Sequence, residues 1–188
     1  MKKNFELSRK SIHALSLLVP WIYLYNKTLC FSLLAGFSVF YLILEVLKLN
    51  NKSIFLNHWI AFLHRDEEKS KWAPAPLYLA LGVMGCLYFF PWNVSFIAIY
   101  CAGICDIMAA LCGKKWGVTH IPFSERKTIV GTGAFFLTAL PVCFYFLPPS
   151  KAITTAMLGA FLESLPLKDW DNLTVPLIVG FVANQFLY

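Results

Sequence analysis

Long apolar runs, each closed by charged or turn-forming residues, divide the chain into seven segments: about 11–26, 29–48, 74–91, 94–112, 130–147, 151–165 and 172–188. These runs are longer than strands and lack the alternation of a barrel wall, so they predict helices. A bilayer takes about 20 apolar residues, and the first and sixth runs are short for that, which predicts tilted, broken or protein-buried helices. The fold class that follows is all-α: a polytopic integral membrane protein of about seven transmembrane helices, with residues 1–188 forming one membrane-embedded domain. Residues 50–72 make the one long polar connection. There Ile54, Phe55, Trp59, Phe62 and Leu63 interleave with Asn57, His58, His64 and Arg65, which predicts an amphipathic helix in the interface near 53–64.

The charges orient these spans. With the N-terminus cytoplasmic, fourteen of the sixteen basic residues fall on the cytoplasmic side and only Lys27 and Lys151 fall outside, the asymmetry of an N-in, C-out topology. The first basic residues, Lys2 and Lys3, precede an apolar run with no small-residue cleavage site after it, so a retained first helix is expected. Composition agrees: 59% of residues are hydrophobic and 14% charged, against about a quarter charged in a soluble domain. The basic excess is thus a topology marker, and no nucleic-acid partner is expected. Six cysteines form no CxxC pair, which excludes the usual zinc and redox motifs; Cys101, Cys105 and Cys112 fall on one helical stripe and read as small packing residues.

Glu45, Asp106 and Glu163 lie within or at the ends of spans two, four and six. Three carboxylates at one membrane depth predict a polar cavity open to the cytoplasm. Asp106 is the sharpest of them, because a charge inside a span is costly and marks function by default. It opens the pattern D-x-x-A-A-x-x-G-x-x-x-G, followed by a basic turn through Gly113, Lys114, Lys115 and Gly117. Lys127-Thr128-Ile129-Val130-Gly131-Thr132-Gly133 then begins the fifth run. Glycine-rich backbone at a helix N-terminus, with a lysine and hydroxyls beside it, suits phosphate. No GxxxxGK[ST] occurs, so this is not a P-loop. An intramembrane acid on the same side makes a Mg–nucleotide site, with the carboxylate on metal and the lysine on phosphate.

The stretch CDIMAALCGKKWG followed by KTIVGTG resembles the polyprenol kinase family of CTP-dependent lipid kinases, which includes dolichol, phytol and farnesol kinases and a CTP-dependent diacylglycerol kinase. Arg9-Lys10-Ser11-Ile12-His13 is similar to that family's R-K-x-x-H, Arg65 with Glu67 and Glu68 to its R-x-x-E loop, and Glu163 with Trp170-Asp171-Asn172 through Pro176 to its E…DN-x-x-x-P ending. Departures are mild: Thr132 stands where many members have Ser, and Lys48 where an Arg is common. The resemblance implies transfer of the γ-phosphate of CTP, with Mg²⁺, to a membrane-dissolved lipid alcohol at the cytoplasmic side. In a bacterium that membrane would be the cell membrane. It implies Asp106, Lys127, Glu163 and Asp171 as the catalytic set, with Asp106, Glu163 and Asp171 as metal candidates. Arg9, Lys10, His13, Arg65, Lys114, Lys115, Thr128, Gly131, Thr132 and Asn172 would hold or orient the nucleotide. Two alternatives make different predictions. A CDP-lipid synthase would release pyrophosphate, but its C-terminal K-R…K-D and H-G-G elements are absent; an ion-coupled transporter would have no use for the Lys127–Gly133 stretch. Which alcohol is used, and the oligomeric state, are not written in the sequence.

Overall fold

The computed structural model describes residues 10, 13–50, 72–122 and 124–186. Arg9, Arg65, the interfacial helix expected near 53–64 and the Arg65–Lys69 charge cluster lie outside the described residues. Among the described residues every apolar run is a helix: α1 (His13–Tyr25), α2 (Lys27–Leu49), α3 (Ala75–Phe89), α4 (Trp92–Trp116), α5 (Ile129–Phe146), α6 (Pro149–Ser164) and α7 (Asp171–Gln185). Three of these, α2, α4 and α5, are long and apolar enough to cross a membrane, and α1 and α3 are shorter apolar helices. Much of α2 and α5 is apolar yet unburied, with Leu33, Phe40, Ile43 and Leu137 all more than half exposed. A soluble protein rarely leaves such a surface uncovered.

Local chemistry accounts for the helix ends. The Asn26 side chain accepts from Leu29 N–H at 2.9 Å and caps α2. The Thr128 hydroxyl does the same for α5, accepting from Gly131 N–H at 3.1 Å. Helix α4 continues four residues past its predicted end at 112, so the expected basic turn at Gly113–Lys115 is helical. Lys114 and Lys115 lie in its last turn, where cations oppose the negative end of the helix dipole. Among the described residues one element is not helical. A two-stranded antiparallel hairpin, β1 (His120–Ile121) and β2 (Ser124–Thr128), joins α4 to α5 and pairs His120 with Thr128.

Small residues let the helices approach closely. Ala109 of α4, Phe135, Ala139 and Cys143 of α5, Ala152, Ala156 and Ala160 of α6, and Val175, Val179 and Ala183 of α7 share one buried core. Cys101 and Cys105 belong to the same core as free thiols, in keeping with their expected packing role. Helix α7 packs on α3, α4 and α6, so its first turn is held in the middle of the bundle. A Cβ added to Gly82 of α3 would come within 2.7 Å of the Asn172 carbonyl oxygen at that turn.

Glu45 departs from expectation. It is fully buried, and its Oε1 accepts from Lys48 Nζ at 2.5 Å and from Ala73 N–H at 2.7 Å. Tyr41, one turn earlier, donates its hydroxyl to Ala73 O at 2.6 Å. Two side chains of α2 thus bind both polar backbone groups of one residue and anchor the chain as it returns toward α3. Glu45 is not among the residues lining the acidic cavity described below.

Candidate active site

The cavity is built where α4, α6 and α7 meet. Asp106 of α4, Glu163 in the last turn of α6, and Asp171 and Asn172 in the first turn of α7 line it, with Ala102 and Val175 as apolar walls. It measures about 10 Å³, space for about one water or a bare cation. Anything larger would have to lie at its mouth and reach in with one end.

The hairpin brings Lys127 to this place. Successive strand residues point to opposite sides, so Thr128 turns into the α4–α5 seam while Lys127 faces the acids. The Lys127 ammonium donates to Glu163 Oε1 and lies 3.6 Å from Asp171 Oδ2. Burial opposes its charge, but the carboxylates of Glu163, Asp171 and Asp106 outweigh that and hold its pKa above the ordinary lysine value. Three carboxylates therefore face the Lys127 ammonium. Asn172 is buried, and its Nδ2 donates to Asp169 O at 3.2 Å, tying the first turn of α7 to the turn before it.

The N-terminal motif enters from the other side. His13 is 5% exposed, which puts it inside the bundle. Its Nδ1 donates to Ala102 O at 3.0 Å and lies 3.5 Å from Asp106 Oδ2. Lys10 is half-buried.

The other expected ligands are arranged differently. Thr128 and Gly131 are buried against α4, Gly131 N–H is taken by the Thr128 hydroxyl, and Gly131 Cα packs beside Gly113. Thr132 is half-buried in the first turn of α5. Lys114 and Lys115 are exposed at the end of α4, with the Lys115 ammonium 4.7 Å from the Trp116 ring. The two glycines of GTG can be told apart by substitution. A Cβ at Gly131 would meet Ala109 O at 2.8 Å, whereas nothing lies within 4 Å of one at Gly133. Gly131→Ala is expected to lose roughly 1–3 kcal/mol of stability, and Gly133→Ala to be neutral or to gain up to about 1 kcal/mol from helix propensity. Thermal unfolding of both variants in detergent measures this.

Comparison with known proteins bears on what such a site does. The chain is 26% identical over 95% of its length to phytol kinase 1 of Arabidopsis thaliana, chloroplastic, covering 66% of that protein. It is 28% identical over 65% of its length to the farnesol kinase of the same plant, covering 47% of it. It is 24% identical over 97% of its length to CTP-dependent diacylglycerol kinase 1 of Saccharomyces cerevisiae, covering 73% of it. These three relatives are lipid kinases by name. Their names are consistent with the polyprenol kinase resemblance, at low identity. The chain spans less than two thirds of the length of the two plant kinases. No family model and no solved structure matches it.

The donor set can be tested against Mg²⁺. Among the described residues no three acidic, imidazole or thiol groups stand close enough to share an ion; Lys127 occupies the space between Glu163 and Asp171. Mg²⁺ seldom uses an all-protein cage and is held by one or two carboxylates together with substrate phosphates. The hard oxygens of Asp106 and Asp171 and room for one small ion fit that mode of binding.

Proposed function

We propose that this chain is a lipid-alcohol kinase, transferring the γ-phosphate of a nucleoside triphosphate to the hydroxyl of a membrane-dissolved alcohol. The observation that carries this reading is the meeting of Asp106, Glu163 and Asp171 around Lys127 in one small cavity at the ends of apolar helices. The names of the relatives support the reaction class, and that of the yeast protein supports CTP as donor.

Phosphoryl transfer needs little covalent chemistry from a protein; it is positioning and charge neutralisation. Lys127 would leave Glu163 for the incoming phosphates and neutralise charge that builds on them. Asp106 and Asp171 would hold the bound Mg²⁺, whose contribution is to neutralise the β- and γ-phosphates. A carboxylate of the same set accepts the hydroxyl proton as the alcohol oxygen bonds to phosphorus and the nucleoside diphosphate leaves. Lys114, Lys115 and the basic N-terminal segment would gather the triphosphate at the mouth. This chemistry calls for a site facing the cytoplasm, where the nucleotide is, and so for the N-in, seven-span topology that the basic residues favour.

Release of CDP against pyrophosphate tests the reaction. Purified protein is incubated with Mg²⁺ and labelled CTP in mixed micelles holding phytol, farnesol, a polyprenol, diacylglycerol or phosphatidic acid. CDP formed only with an alcohol is expected and identifies the acceptor. Pyrophosphate formed only with phosphatidic acid would make the chain a CDP-lipid synthase, and CTP left intact throughout would refute both.

A further inference from the structure

Helix α4 is irregular where the site is built. Between Cys101 and Cys105 it forms a π turn: Asp106 N–H bonds to the carbonyls of Cys101 and Gly103 rather than to Ala102 O, the partner that a regular α-helix would give it. Such turns hold one residue more than an α-turn and are frequent at functional sites. The Ala102 carbonyl passed over in this way accepts the His13 Nδ1–H, and the same N–H lies 3.5 Å from Asp106 Oδ2. A buried carbonyl with no donor would favour the helix closing back to α-register, which would carry the residues after it around the axis by about 100°. Gly103 makes the approach of α1 possible. A Cβ there would stand 2.9 Å from His13 O and 3.2 Å from Ser16 Oγ, and that hydroxyl itself donates to His13 O at 2.6 Å.

We propose that His13 is a positioning residue that acts through the π turn: by holding the Ala102 carbonyl and flanking the Asp106 carboxylate, it keeps Asp106 aimed into the cavity beside Glu163 and Asp171. The proposal rests on the kinase reading for its effect on rate, but not for its effect on the turn. His13 needs only an N–H at the Nδ1 position. Asparagine offers one at the same distance from the backbone and leucine offers none.

Four proteins are compared with wild type: His13→Leu, His13→Asn, Gly103→Ala and the double variant His13→Leu/Gly103→Ala. Groups that orient a catalytic residue from outside cost about 10- to 100-fold when removed. His13→Leu is expected to lose that much kcat with the KM for CTP little changed, and His13→Asn to stay within about threefold of wild type. Gly103→Ala, which alters no polar group, is expected to lose rate by pushing His13 away. The double variant should be no worse than His13→Leu alone, because both lesions break one contact. Hydrogen exchange gives a readout independent of catalysis: amides 103–106 should exchange faster in His13→Leu and Gly103→Ala and at the wild-type rate in His13→Asn. Asparagine as impaired as leucine, additive losses in the double variant, or unchanged exchange in His13→Leu would each overturn the proposal. If wild-type protein makes no CDP, the kinase reading fails by itself, and the exchange comparison still decides whether His13 holds the turn.

Discussion

Lys127→Ala is expected to abolish turnover, by roughly a thousandfold or more, and also to weaken the fold. The two losses have one origin. Lys127 is the cation that lets Glu163, buried and 6% exposed, remain among Asp106 and Asp171. Removing one partner of a buried ion pair leaves the other uncompensated, at a cost of about 3 kcal/mol or more. A double variant separates the two effects. Lys127→Ala/Glu163→Gln removes both charges of the pair and should recover most of the lost thermal stability while turnover stays absent. Mg²⁺ should raise the unfolding temperature of Lys127→Ala more than that of wild type, because the ion then meets an acidic cluster that has lost the Lys127 ammonium. The sign with pH follows from the raised lysine pKa: the stabilisation contributed by the charged ammonium is present below the ordinary lysine value and is lost as pH rises through the raised one. A variant inactive but as stable as wild type would show that Lys127 serves the reaction without supporting the fold.

Asp106, Lys127, Glu163, Asp171 and Asn172 were expected together, although they come from four separate parts of the chain, and they do meet. The signal was chemical: charged side chains are costly beside apolar runs, so each had to lie near another polar group. That each charge needs a polar neighbour is legible in this way, but which neighbour it faces is not. Glu45 was expected at the depth of Asp106 and Glu163, yet it faces Lys48 and Ala73, and the third carboxylate of the cavity is Asp171. The KTIVGTG stretch gave the helix start correctly, but not the division of labour within it. Thr128 and Gly131 bind each other and the glycines of α4, and Lys127 alone faces the acids. Two backbone features had no signature at all. The hairpin pairs only a few residues, fewer than a periodicity can reveal. The π turn consists of Cys-Ala-Gly-Ile-Cys, residues that suit an α-helix equally well, and it exists through contacts made with His13, far away in sequence.

Asp106→Asn is expected to remove turnover as completely as Lys127→Ala, but with the opposite effect on stability. The substitution keeps shape and volume, so the contacts with His13 and the walls of the cavity survive. It also removes one of three mutually repelling carboxylates, leaving Glu163 and Asp171 around Lys127 with one like charge fewer. Like charges that share a site destabilise one another, so the unfolding temperature should be unchanged or higher. This is the trade-off expected where a cluster is kept charged for chemistry at the expense of the fold. Activity should fall roughly a thousandfold, because an amide is a much poorer ligand for a hard divalent cation than a carboxylate. The Mg²⁺ dependence of unfolding should shrink along with it. Thermal unfolding with and without Mg²⁺, measured beside CDP release on the same preparation, reads all three quantities. Near-normal turnover in Asp106→Asn would remove Asp106 from the reaction. Lost turnover with a lower unfolding temperature would make it a structural acid whose charge His13 and Lys127 need.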